Sequence, residues 1–256
     1  LSTLDMAYWD ALGKAANQPV VQLLGGEALP VAAYDSYGMV DPVKDAKAIE
    51  HSLKQGFKAI KIKLGDVDAQ RDVHVVAEVR RIIGSNVALM VDYNQSLSPK
   101  EAIRRIRMIE SYDIHWVEEP VAAEDLQGHA KVRQAVNVGI QTGENWWFPR
   151  DAERALSAEA CDMMMPDLMK IGGITGWLSV MGMASAASIP VSSHIFIEAS
   201  AHVLPVTPTS HWLEFMDFGS MILAEPYVIH QGTVSAKGPG LGIQWNESAV
   251  ARYAVN

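Results

Sequence analysis

The 256 residues are 49% hydrophobic and 20% charged, enough to bury the core of one α/β barrel or two ordinary domains. A net charge of −9 argues against a general nucleic-acid binder, which would carry a basic face. The lone cysteine, Cys161, excludes an intrachain disulfide and suits a reducing cytosol, and no apolar run is long enough to span a bilayer, so a cytoplasmic protein without membrane or nucleic-acid partners is expected.

The chain opens LSTLDMAYWDALGKAANQPVVQLLGG. Leu4, Tyr8, Leu12 and Ala15 recur at helical spacing before a Gly-Gly stop, which predicts an amphipathic helix. Short apolar runs then recur at 31–34, 59–63, 88–91, 114–117, 139–141, 163–165, 191–193 and 211–213. Helix-like segments separate most of them. Ser98-Pro99 supplies an N-cap and first-turn proline for KEAIRRIRMIE, and Asp125, Arg150 and Thr175 lie near other helix starts. Eight strands alternating with helices at intervals of roughly 20–27 residues predict a TIM-like parallel (β/α) barrel. An open doubly wound sheet is the competitor. It would carry a Gly-rich phosphate loop after its first strand, and no GxGxxG or Walker motif occurs.

Residues 57–65 read FKAIKIKLG, a strict alternation. On a strand, Ile60, Ile62 and Leu64 share one face and Lys61 and Lys63 the other. Two adjacent ammonium groups should depress each other's pKa, which would suit one of them to take a proton from carbon. Polar residues close the other runs: Asp35-Ser36, Asp92-Tyr93-Asn94, Glu118-Glu119, Glu144-Asn145, Asp167, Ser193-His194 and Glu214. In a barrel these positions converge on the C-terminal face.

Asp92, Glu118 and Glu144 are spaced by 26 residues each, one βα unit apart. Any one of them alone would more often cap a helix or face solvent. Three carboxylates in one pocket repel unless a hard cation neutralises them, and an all-oxygen set suits Mg²⁺. His194 and Asp167 end adjacent strands, so the carboxylate can fix the tautomer and raise the basicity of the imidazole. The other seven histidines lack such a setting and read as surface or packing residues. Trp146, Trp147, Phe215 and Met216 could form an apolar wall or simply pack.

KIK at 61–63, VDYNQS at 91–96, WVEEP at 116–120, TGENW at 142–146, MPDLMKIGGITGW at 165–177, SSHIFIEASAH at 192–202 and HWLE at 211–214 resemble the mandelate racemase group of the enolase superfamily. The likeness covers nearly the whole chain and looks close to the enzyme that gives the group its name, AYDS at 33–36 included. It implies an enolase-type modified barrel at 27–220, a linker helix at 1–26 from an α+β capping domain otherwise absent, and a segment at 221–256 that packs on that cap. It implies that Asp92, Glu118 and Glu144 hold Mg²⁺. Lys63 would be the base on one face of the substrate and His194, paired with Asp167, the base on the other. Lys61 and Ser36 would bind the substrate carboxylate, a protonated Glu214 would donate to it, and Asn94 would contact the hydroxyl. A small-molecule carboxylate is the expected partner, and the group's habit suggests a homo-oligomer.

Two bases on opposite faces point to racemisation of a 2-hydroxy acid by 1,1-proton transfer through an enediolate. Acid-sugar dehydration on the same scaffold is the alternative, and a barrel inactive without its cap is another. An amidohydrolase-type barrel would carry HxH on its first strand, and no HxH occurs.

Overall fold

A computed structural model describes residues 1–254. Helix α1 (Ser2–Ala16) and the single turn α2 (Val20–Leu23) precede β1 (Val31–Met39). Helix α3 (Ala46–Lys54) completes the first βα unit, and five more follow: β2 (Ala59–Lys63), α4 (Ala69–Ile83), β3 (Ala88–Asp92), α5 (Pro99–Ile109), β4 (Ile114–Glu118), α6 (Leu126–Ala135), β5 (Gly139–Thr142), α7 (Phe148–Ser157), β6 (Met163–Met164) and α8 (Gly173–Ala186). The chain continues through β7 (Val191–Ser193), α9 (Ile197–Val203), β8 (Ser210–Phe215), β9 (Thr233–Val234) and α10 (Glu247–Tyr253).

Strands β2 to β8 pair in sequence order, and β1 pairs in parallel with both β8 and β2. The ring is therefore closed, which rules out the open doubly wound sheet. The expected caps are in place: Ser98 accepts from the Glu101 N–H at 3.4 Å and Asp125 from the Gly128 N–H at 2.8 Å. Each satisfies an amide that the first helical turn leaves unpaired.

Alternation sorts the residues of each strand. Ile60, Ile62, Val91, Val117 and Ile140 are fully buried against the helices outside the ring. Tyr34, Ala59, Met90, Trp116 and Met163 fill its interior, with Tyr34 edge-on to Trp116 at 5.4 Å. This apolar plug is the floor on which the charged residues stand.

The segment after 220 packs against α1, α2 and β1 of this chain. Strand β9 runs antiparallel to the start of β1. Gly240 accepts from the Val20 N–H at 2.9 Å and donates to Gln18 O at 3.0 Å, and Asp10 accepts from the Leu241 N–H at 2.8 Å. Among the described residues, no helix is long and apolar enough to cross a membrane.

Candidate active site

The parallel ladder places Lys63 opposite Asp92, and Asp92 opposite Glu118. These three side chains share one level of the barrel because consecutive strands carry them in register. Glu144 differs. Its strand ends at Thr142, so the third carboxylate sits in the following loop rather than at a strand end. Gly143 makes the turn with φ +140°, and a Cβ there would lie 3.0 Å from the Met165 backbone. The three acids still converge: one carboxylate oxygen from each lies within 4.8 Å of the others.

Lys61 is buried inside the ring, its Nζ 2.7 Å from Glu118 Oε1 and 2.8 Å from Glu214 Oε1. Burial alone would push this ammonium down, but the two carboxylates outweigh it and hold the pKa well above the usual lysine value. The expectation that Lys61 is depressed by its lysine neighbour is thus overturned. Glu214 is likewise drawn towards its charged form in this arrangement. Burial would raise it, yet Lys61, and then His194, bring it down to about 2. Its Oε2 also accepts from the Ile195 N–H at 3.1 Å. Glu118 goes the other way, raised by burial, which Lys61 only partly offsets against the neighbouring acids.

Asp92 is almost fully buried, and burial raises its carboxyl. Its Oδ1 accepts from the Asn94 N–H at 2.7 Å, while Oδ2 has no hydrogen-bond partner. Lys63 Nζ, a third exposed, is 4.0 Å from that free oxygen. A buried, unpartnered anionic oxygen among three converging carboxylates fits a hard divalent cation.

His194 Nδ1 is 2.6 Å from Asp167 Oδ2, and its Nε2 is 3.2 Å from Glu144 Oε2. Burial opposes the imidazolium, but the bond to Asp167 and the nearby Glu214 and Glu144 outweigh it and raise its pKa. Asp167 is itself oriented by the Met169 N–H, which donates to Oδ1 at 2.6 Å.

Ring order distributes the parts. Between β2 with its lysines and β7 with His194 lie β1 and β8 on one side, and β3 to β6 on the other. Ser36 and Glu214 occupy the short arc, and Asp92, Glu118 and Glu144 the long one. Ser36 pairs in register with Lys61, and its Oγ is buried without a partner. Asn94 is exposed at the rim. Asp35 faces out of the barrel, where its Oδ2 accepts from the hydroxyl of Ser52.

The expected apolar wall is reduced. Trp146 is buried in the core, and Phe215, one residue past the inward Glu214, packs against Phe57 at 5.9 Å on the other side of its strand. Trp147 is exposed. The spacing of strand ends missed a further set. Asn145 Nδ2 donates to Glu119 Oε2 at 2.7 Å and to Glu144 Oε1 at 3.1 Å, and Lys170 Nζ donates to Asn145 Oδ1 at 2.8 Å. The doublets Glu118-Glu119 and Glu144-Asn145 were the available signal. Strained backbone clusters on this rim: Asn94, Gln95, Glu119, Ile195 and Phe196 all have positive φ. Such conformations cost on the order of 1–3 kcal/mol each and collect at functional sites.

The family model described as enolase C-terminal domain-like matches residues 44–249, and that of the mandelate racemase/muconate lactonizing enzyme N-terminal domain matches residues 1–25. A 3,6-anhydro-alpha-L-galactonate cycloisomerase from Streptomyces coelicolor is 34% identical over all of this chain and 72% of its own length. An L-talarate/galactarate dehydratase from Salmonella typhimurium is 30% identical over 97% of this chain and 64% of its own. The crystal structure of an enolase from Bradyrhizobium, complexed with magnesium and mandelic acid, superposes with TM-score 0.98 at 57% identity, covering 100% of this chain and 71% of that one. A closed barrel with this ring of charges, matched along its length by that model and by these relatives, belongs to the mandelate racemase/muconate lactonizing enzyme branch of the enolase superfamily.

Proposed function

We propose that the protein is a Mg²⁺-dependent racemase of a mandelate-like 2-hydroxy acid. The observation that carries this reading is the pair of bases, Lys63 on β2 and His194 after β7, which flank the carboxylate cluster from two directions. Asp92, Glu118 and Glu144 would hold the cation, which when bound offsets the negative charge that builds on the substrate carboxylate during deprotonation. Magnesium and mandelic acid in the Bradyrhizobium relative are the pair this reading asks for.

The chain's own residues divide the work. Lys61 and Ser36 bind the substrate carboxylate on the short arc, with Glu214 holding Lys61 in place. Asn94 at the rim meets the α-hydroxyl. Lys63 takes the α-proton from one enantiomer and His194, oriented by Asp167, from the other. Whichever base has not accepted the proton returns one to the opposite face of the enediolate. Removal on one side and return on the other inverts the centre.

Incubation with Mg²⁺ and mandelate in D₂O should place deuterium at Cα of both enantiomers. Lys63→Ala and His194→Asn should each retain exchange of one enantiomer only. Exchange of both enantiomers in both variants would sink the two-base assignment. The second reading is dehydration of an acid sugar, favoured by the Salmonella relative. There the same bases would also expel a β-hydroxyl, and release of a 2-oxo acid from galactarate without racemisation of mandelate would establish it.

A further inference from the structure

Asp92 and Glu118 are fixed by the strand ladder, and Glu144 is not. It lies two residues beyond β5, partly exposed, with no pairing strand to orient it. Its rotamer needs another support. Asn145 supplies one through Nδ2, which bonds both Glu144 and Glu119. Glu119 is fully buried and is held from behind by the Gln95 N–H, which donates to its carbonyl at 2.7 Å. Lys170 fixes the other end of the amide. An ammonium can only donate, so Lys170 must sit on the amide oxygen; the Nδ2 hydrogens are left for Glu144 and Glu119, and the Asn145 side chain has one orientation. A cation on the amide oxygen also strengthens the two N–H donations.

Lys170 has a second attachment. Its N–H donates to Asp167 O at 3.0 Å, and its carbonyl accepts from the Phe148 N–H at 3.2 Å. One residue thus bridges the loop that bears Glu144 and the turn that bears Asp167, partner of His194. We propose that Lys170 is a positioning residue for the cation centre. Through Asn145 it sets the orientation of Glu144, and through its backbone it keeps that carboxylate in register with the Asp167–His194 pair. The inference rests on the cation-binding reading above and adds that a residue touching neither cation nor substrate controls affinity.

Calorimetric titration of Mn²⁺ into wild type, Lys170→Met, Lys170→Arg and Asp92→Asn tests it, with the metal-free Tm of each measured alongside. Loss of a group that orients a ligand weakens binding roughly 10- to 100-fold, so Lys170→Met should raise the Kd by that factor. Its metal-free Tm should stay within about 2 °C of wild type. Lys170→Arg, which keeps a donor on Asn145, should recover most of the affinity. If Lys170→Met does not fold, Asn145→Ala breaks the same arm from the other side and should show the same rise in Kd. A Kd within about threefold of wild type in whichever variant is measured, with Asp92→Asn strongly impaired, overturns the positioning role and leaves the cation reading intact. Lost affinity that tracks lost metal-free stability and is not recovered by arginine reduces the arm to a structural brace and also overturns the proposal. Equal affinity in wild type and Asp92→Asn overturns the cation reading itself, and the arm with it.

Discussion

Lys61 sits between Glu118 and Glu214, and all three side chains are almost wholly shielded from solvent. Removing one partner of a buried ion pair leaves an uncompensated charge and costs about 3–5 kcal/mol. Lys61→Met should therefore lose that much stability at pH 7 in urea unfolding. The sign in acid follows from Glu214. Its folded pKa, about 2, lies below its unfolded value, so the stability it contributes is complete above the unfolded value and lost as pH falls towards 2. In the variant the unpaired acids gain by protonation instead. The gap between wild type and Lys61→Met should narrow as the pH drops from 7 to 4, and a gap independent of pH would contradict the ion pairing. Sequence spacing located the members of this cluster. It could not reveal that Glu118 and Glu214 grip Lys61, because that depends on how far side chains reach across the closed ring.

Elements were legible where periodicity was strong. The alternation in β2 separated its packing residues from its lysines, and the spacing of Asp92 and Glu118 matches the ladder register. The spacing of Glu144 repeats, yet β5 stops short of it, because a residue count fixes separation along the chain and not where pairing ends. Asn145 was legible as a strand-end residue, but its bond to Lys170 was not, because it joins two loops and loops carry no period. The short elements α2 and α9 show a similar long-range tie. His202 on α9 is fully buried, its Nδ1 accepting from the Val21 N–H on α2 at 3.1 Å. Its Nε2 is 3.2 Å from the Tyr227 hydroxyl, which in turn donates to Leu241 O at 2.9 Å. Burial lowers this imidazole to about 4. Between an unfolded pKa near 6.5 and that value, the unfolded chain takes up a proton that the native one refuses. Stability is thus lost as pH falls, by about 3 kcal/mol for this group. His202→Asn should be less stable at pH 7 but should show a flatter decline from pH 6.5 to 4 in chemical denaturation. Parallel curves would mean that another group governs the acid limb.

At the scale of the molecule, a closed sheet leaves no ladder strand free to peel away on its own. Cys161, just before β6, is 3% exposed, and burial pushes its thiol up to about 12. It reports on opening of the ring. An aromatic disulfide reagent at pH 8 should label native protein at least about a thousandfold more slowly than unfolded protein. In urea, the labelling midpoint should coincide with that of circular dichroism. Labelling well below that midpoint would reveal a local opening around β6.

The clasp of Asp10, Gln18 and Val20 onto Gly240 and Leu241 bears on how the chain folds. The β1–β8 seam joins residues 180 positions apart, Ala33 with Leu213, and the clasp lies later still in the sequence. Contacts this distant along the chain form late, because their loop-closure entropy is spent before the pairing rewards it. As the chain leaves the ribosome, β1 has β2 on one side and nothing on the other until β8 follows. An unpaired strand edge of that kind is the part of a nascent barrel most open to wrong partners. The arrival of β8, which also brings Glu214 to the site, sets how long that edge stays exposed.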